Sequence, residues 1–572
     1  MDRELATDKI CIDFEGYEIH CRAGISLAAA LTDAHKLDFR DAGDGDMRGL
    51  FCGMGVCQEC RMTVDDRHGT RACMTVVRES LKVSRDIPRP ALDSRSRPLA
   101  ENGDYEIVQP EVLVIGAGPA GLTAASVAAE SGADVILLDE RSIAGGQYYK
   151  QPSSPEHVPK SLSGDRQFAD GRALIERAQR SGASLLQECT VWGAFEANEF
   201  AVFDGEYSRI YKPKRTIVAT GAYERGLPIP GWTLPGAMTT GAAQTLLRSY
   251  GVLPGARVLV AGNGPLNLQV ALELKRAGAD VLAVAELSAP PGPSSFMNGL
   301  RMALSAPGPT MNGVRLLAGL HRSGVPVLYR QGLVSIDKHE SALRAWIGQT
   351  GQDGIVAETS FDVDTVCMGY GFQPNNEILR SLGCGHTFDE KRGHLVTKRG
   401  PYFETDVTNV YAIGDCCGLG GAPAASEEAI IAASDVLRSL GHVLPARVLR
   451  QEKLALKNLG RHRKFQTALW QMFAAPRFQT ELARPDTLIC RCENLRLQDL
   501  EAALADGHPS IGTLKRRTRL GMGACQGRYC APVAAAMIAE RDGHAVNELS
   551  FFAPRIPLKP ISIADMIKTS AS

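Results

Sequence analysis

The alternation of apolar and polar residues changes character several times along the chain. KICIDFEGYEIHC alternates around a Glu15-Gly16 turn and predicts a hairpin, and ISLAAALTDAHK after it has helical composition, both within residues 8–38. Residues 85–105 are rich in Pro, Arg and Ser and lose all periodicity, which predicts a linker. At Glu111 a fully apolar run, VLVIG, opens a strand–helix–strand pattern. Residues 441–480 then read as a basic connecting helix. These changes divide the chain into an N-terminal domain (1–95), a linker (96–110) and a first nucleotide unit (111–224, completed by 355–440). A second nucleotide unit (225–354), a connecting helical segment (441–484), a C-terminal domain (485–545) and a tail (546–572) follow.

The two nucleotide units are an internal repeat. GAGPAGLTAASVAAESGADVILLDE, from Gly116, aligns without gaps with GNGPLNLQVALELKRAGADVLAVAE, from Gly262, at an offset of 146 residues. Each predicts a strand, a glycine turn, a helix and a second strand ending in Glu. In the first unit Gly116 permits the tight turn, Gly118 admits a pyrophosphate against the backbone, and Gly121 allows close helix–strand packing. Asp139 and Glu140 then stand where a carboxylate meets an adenosine ribose. The second unit keeps Gly262 and Gly264 but has Asn267 at the third position. A side chain there is expected to crowd the packing, leaving a nucleotide site that is weakened, lost, redirected to another adenine nucleotide, or a structural relic. If a nicotinamide cofactor binds, Glu286 favours NAD over NADP.

Composition narrows the class. Lys plus Arg (63) almost cancels Asp plus Glu (64), which gives no global field for nucleic acid. No run of 18 apolar residues occurs and the start, MDRELATDKICIDFEG, lacks a signal-peptide core, so a soluble cytoplasmic protein is expected, with a peripheral membrane contact left open. HExxH, GxSxG and P-loop motifs are missing. The unusual count is 15 cysteines, in a chain too long for a secreted disulfide scaffold.

Eight of the fifteen fall in two clusters. Cys52-x4-Cys57-x2-Cys60-x12-Cys73 carries the plant-type ligand spacing of a [2Fe–2S] centre, and Gly53 and Gly55 let the loop wrap it. Cys490-x-Cys492 and Cys525-x4-Cys530 make a second set of four, beside Lys515, Arg516, Arg517 and Arg519. Zinc is the competing ligand reading for both. Cys416 and Cys417 are vicinal and read as apolar packing residues, and the other five cysteines as structural.

Three more segments carry a resemblance. Gly145-Gly146-Gln147 follows the second strand, Ala219-Thr220-Gly221 ends another, and Asp415 sits in TNVYAIGDCCG before a helix-like run. Over residues 110–440 the chain resembles the two-dinucleotide-binding-domain flavoproteins of the thioredoxin-reductase and glutathione-reductase kind. The resemblance implies a Rossmann-like α/β fold and FAD at Gly116, Gly118, Gly121, Gly146, Gln147, Thr220 and Gly221, with Asp415 on the ribityl chain. The family's disulfide-reductase chemistry is not expected, because no CxxC lies in that region. The N-terminal cluster domain resembles the compact, β-grasp-like ferredoxin domain of multisubunit amine-oxidising flavoenzymes. Residues 487–531 resemble the small helical bacterioferritin-associated-ferredoxin type.

The whole order is similar to the α subunit of heteromeric amino-acid-oxidising dehydrogenases, of the opine oxidase, hydrogen cyanide synthase, proline or hydroxyproline dehydrogenase and heterotetrameric sarcosine oxidase kind. That similarity implies a D-amino-acid-oxidase-like β subunit whose own FAD oxidises a C–N bond. Electrons would pass to this chain and on to a further acceptor, with no substrate base here. Two other classes stand beside it: a self-contained NAD(P)H:acceptor oxidoreductase, and a non-enzymatic electron carrier.

Overall fold

A computed structural model describes residues 9–43, 45–87, 103–351, 354–505 and 510–569. The N-terminal hairpin pairs Lys9–Phe14 with Tyr17–Arg22 in the register Lys9↔Arg22 to Phe14↔Tyr17. Its turn uses left-handed backbone at Glu15 (φ +54°) and Gly16 (φ +87°), the conformation a two-residue hairpin needs. The sheet runs Tyr17–Arg22, Lys9–Phe14, Leu81–Arg85, Arg61–Val64, Arg67–Arg71. One helix, Leu27–Asp33, packs on it. Ser26 starts that helix by accepting from the Ala29 amide at 3.2 Å. Its residues Leu27 to Thr32 are all buried, against Ile12, Phe14 and Ile19.

The first nucleotide unit is a five-stranded parallel sheet in the order Ser184–Leu186, Val135–Leu138, Val112–Ile115, Arg215–Val218, Val410–Ala412. Val112–Ile115 is buried throughout, as a central strand covered on both faces must be. Helices Pro119–Ala129 and Ala422–Ser439 lie on it, and their buried alanines (Ala124, Ala128, Ala429, Ala432) let them approach closely. A smaller sheet beside it pairs Ile107–Val108 with Ser208–Tyr211. The segment expected to be linker through 110 therefore already forms strand at 107; two residues are too short for periodicity to register.

The second unit repeats the design with Ala237–Thr239, Thr365–Gly369, Arg257–Gly262, Asp280–Glu286 and Val327–Tyr329, all parallel. Thr365–Gly369 lies inside this sheet, so the boundary expected at 355 is corrected to a point after 369. The pattern TVCMG identifies a buried strand but not its neighbours.

The helix Ala446–Met472 lies within the expected connecting segment and buries Val448, Ala455 and Leu459 in the first unit's core. Helices Leu497–Ala505, Ile511–Thr518 and Ala531–Asp542 form the C-terminal domain around Leu500, Leu514, Leu520 and Ala534. Phe552 belongs to the same core, which extends this domain past the expected 545. The tail then returns to the first unit, where the Leu558 amide donates to Trp192 O at 2.7 Å and the Ser208 amide to Lys568 O at 2.8 Å.

Candidate redox site

The first glycine loop packs backbone directly on backbone. A Cβ at Gly121 would collide with the Gly116 carbonyl oxygen, and one at Gly116 with that of Ala219. A Cβ at Gly146 would sit 2.8 Å from the Gly118 Cα, so two loops touch through bare backbone. Helix Pro119–Ala129 begins at Gly118 with no side-chain cap, and the uncapped amides of a helix N-terminus suit an anion. Asp415 accepts from the Gly420 and Gly421 amides at 2.9 and 2.8 Å, at the start of Ala422–Ser439. Burial pushes its carboxyl up. Thr220 donates to Asn375 O at 2.6 Å, and Gly221 next to it has φ +72°.

Asp139 and Glu140, both expected to meet a ribose, take separate protein partners. Asp139 accepts from the amides of Ala117 (2.5 Å) and Arg141 (2.8 Å), holding the loop's own backbone. Glu140 reaches out instead. It pairs with Arg71 of the N-terminal domain at 2.7 Å and with Lys559 of the tail. Burial alone would raise its carboxyl, but Lys559 and Arg71 together hold it at about 2. Arg71 also donates to Gly55 O at 3.0 Å, so one guanidinium joins the first cysteine loop to the nucleotide cradle.

On the flank of the cradle, Lys150 donates to Gln147 O at 2.9 Å and to Gln244 Oε1 at 3.0 Å. Burial draws its ammonium down to about 7. Burial likewise raises Glu224 to about 7, where one oxygen accepts from the Gly241 amide at 2.7 Å and the other has no partner.

The second loop is closed by its own side chains. Asn267 is 1% exposed; its Nδ2 donates to Gly369 O and its Oδ1 accepts from Thr240 Oγ1, both at 2.9 Å. The expected crowding is thus corrected: the amide is accommodated by tying its helix to two neighbouring elements. Glu286, fully buried, accepts from Asn263 Nδ2 at 2.8 Å, the Ser288 amide at 2.9 Å and the Gly264 amide at 3.0 Å. Asn263 also donates to Phe473 O at 3.1 Å, at the end of the long helix. With Glu286 engaged by the loop itself, its expected part in choosing NAD finds no open carboxylate. Gly262 (φ +151°) and Gly264 (φ +116°) keep the turn.

All eight cluster cysteines are buried or nearly so, and their thiols face one another in pairs: Cys52 with Cys57, Cys60 with Cys73, Cys492 with Cys525, Cys490 with Cys530. Amides point at the sulfurs, Cys57 N to Cys52 Sγ at 3.4 Å and Cys73 N to Cys60 Sγ at 3.5 Å. A single tetrahedral zinc with Zn–S near 2.3 Å would hold all four sulfurs about 3.8 Å apart. Among the described residues, Cys11, Glu18 and His20 are the one group of three such ligands within 4.8 Å, so neither quartet has that shape. Two pairs per quartet fit two metal atoms, the donor set of a [2Fe–2S] centre. Cys416 and Cys417 are fully buried among Ile115, Val218 and Ala412, as packing residues should be.

The sequence reading missed Arg71, Lys559, Lys150, Glu224 and a charged pair at the quartets, Glu59 and Arg491. The last two had a visible signal, opposite charges enclosed within the CQEC and CRC motifs.

Residues 7–88 match the 2Fe-2S iron-sulfur cluster binding domain, 110–429 the pyridine nucleotide-disulphide oxidoreductases and 485–569 the sarcosine oxidase A3 domain. An opine oxidase subunit of Rhizobium meliloti (strain 1021) is 30% identical over 80% of this chain and 98% of its own length. Hydrogen cyanide synthase subunit HcnB of Pseudomonas aeruginosa is 30% identical over 78% and 96%. L-proline dehydrogenase from P. horikoshii shares the fold across 98% of both chains, with a TM-score of 0.71 at 19% identity. Among the described residues, no helix is long and apolar enough to cross a membrane. The chain therefore belongs, as a flavoprotein oxidoreductase subunit, to the family of HcnB and the Rhizobium opine oxidase protein, its pyridine nucleotide-disulphide oxidoreductase fold set between an N-terminal 2Fe-2S domain and a C-terminal sarcosine oxidase A3 domain.

Proposed function

We propose that this chain is the electron-transferring subunit of a cytoplasmic hetero-oligomeric dehydrogenase that oxidises the C–N bond of an amino acid, opine or related secondary amine. The oxidation itself is assigned to a D-amino-acid-oxidase-like β subunit carrying its own FAD, and a downstream acceptor takes the electrons. FAD in the first cradle would accept two electrons and release them singly, and a [2Fe–2S] centre in each quartet would carry one at a time. The amides at the start of Pro119–Ala129 would hold the pyrophosphate, Glu140 would stand at the adenosine end while paired with Arg71 and Lys559, and Asp415 with Thr220 and Gly221 would line the remaining length. Lys150 and Glu224, each drawn to about 7, hold exchangeable protons on the cradle's flank near neutrality. Burial of the cysteines would keep water from a cluster held there.

One observation carries the reading. Arg71 links the first cysteine loop to Glu140, and the first loop in turn meets the second quartet, which supports an electron path through three candidate sites. The closed second loop favours electron entry from a partner protein over entry from NADH. The test is anaerobic titration of the purified chain with NADH, and then with an amine substrate after the co-purified β subunit is added. Flavin bleaching is expected only with amine and partner. Rapid bleaching by NADH alone would overturn the proposal in favour of a self-contained reductase.

A further inference from the structure

The two quartets come from opposite ends of the chain, yet their loops share one junction. Phe51 precedes Cys52, Tyr529 precedes Cys530, and their rings meet edge to face with centroids 5.5 Å apart. Glu59 lies between Cys57 and Cys60, and Arg491 between Cys490 and Cys492. These two side chains, 1% and 4% exposed, pair at 3.4 Å. Arg40 donates to both Glu59 oxygens at 3.1 Å and to the Arg491 carbonyl at 3.3 Å. The Arg491 guanidinium stacks 3.9 Å from the Phe51 ring centre and 4.7 Å from that of Trp232, and donates to Trp232 O at 3.2 Å.

A buried ion pair is a poor route to stability, since desolvation offsets most of the attraction. What it supplies is orientation: the pair is satisfied in one relative placement of the two domains, and its charges sit inside the ligand motifs themselves. Arg491 therefore rests against the first cysteine loop while flanked by two ligands of the second. We propose that Glu59 and Arg491 are positioning residues that hold the two quartets as one coupled unit, close enough for the reduced centres to sense each other directly. This rests on the reading that each quartet carries a [2Fe–2S] centre.

Electron paramagnetic resonance of the fully reduced full-length chain tests it, because magnetic interaction between two reduced centres falls steeply with distance. The wild type is expected to show two signals with mutual splitting or enhanced relaxation. Glu59→Gln and Arg491→Gln should reduce that interaction at least twofold at unchanged iron content, and Glu59→Asp should retain it. Two non-interacting wild-type signals, or wild-type splitting in both glutamine variants, would overturn the junction. Iron for only one centre in the wild type would instead overturn the underlying two-cluster reading. Should a glutamine variant lose iron, Phe51→Leu replaces it. That change removes the ring between Arg491 and Tyr529 while leaving every ligand and charge, and its outcomes are judged in the same way.

Discussion

The first and second nucleotide units start from one pattern, 25 residues long and repeated at an offset of 146, and end with opposite site chemistry. In the first, the third glycine lets backbone close on backbone, and the strand-end Glu140 points away to Arg71 and Lys559. In the second, Asn267 and Glu286 turn inward and satisfy the loop's own donors and acceptors. A shared fingerprint fixes the turn, the helix and the strands. Which partners the carboxylate finds is decided outside that fingerprint.

The contrast can be broken most directly at the third position of each loop. Gly121→Val places side-chain carbons on the Gly116 carbonyl, and flavin retained on purification should fall by about tenfold or more. Asn267→Gly should leave flavin content unchanged; equal losses in both variants, read by absorbance, would erase the distinction. The carboxylates come next. Glu140 is held at about 2, so its contribution is complete above the ordinary carboxylate range and lost as pH falls through about 2. Glu140→Gln should therefore cost on the order of 3 kcal/mol at neutral pH, measured by urea unfolding, and weaken flavin retention. Glu286→Gln leaves buried donors short of an acceptor, at about 1–3 kcal/mol, with flavin intact.

A smaller effect sharpens the comparison through pH. Glu224, raised by burial to about 7, lends stability below its ordinary value near 4.5 that is lost as pH rises through about 7. Glu224→Gln should flatten that decline by on the order of 2 kcal/mol across the window, seen as a thermal midpoint that varies less between acid and neutral pH. An unchanged profile would place the titrating group elsewhere. Smallest is the stability cost of Asn267→Gly, about 1–2 kcal/mol for two lost hydrogen bonds and an added helical glycine.

Periodicity and spacing made the architecture legible where the physics is local. The hairpin around Glu15-Gly16, the two strand–turn–helix units and the close Cys52-x4-Cys57-x2-Cys60, Cys490-x-Cys492 and Cys525-x4-Cys530 spacings each follow from residues a few positions apart. Sheet membership did not. Thr365–Gly369 is an apolar strand whose neighbours, Ala237–Thr239 and Arg257–Gly262, are set by the folding of more than a hundred intervening residues. The pairing of Arg71 with Glu140 spans 69 positions and that of Lys559 with Glu140 spans 419, distances at which a charge in the sequence carries no address. Asn267 shows the same limit: its volume was visible, but its hydrogen-bond partners Gly369 and Thr240 were not.

The carboxylate of Glu140 also imposes an order on biosynthesis. One of its cationic partners, Arg71, precedes it by 69 residues, and the other, Lys559, follows it by 419. A nascent polypeptide can close the N-terminal half of this site while the central domain is emerging, but the second contact must wait until translation has passed Lys559 and the tail has docked along Trp192 and Ser208. A polypeptide halted before Lys559 would carry an intact glycine fingerprint with only half of its ionic clasp.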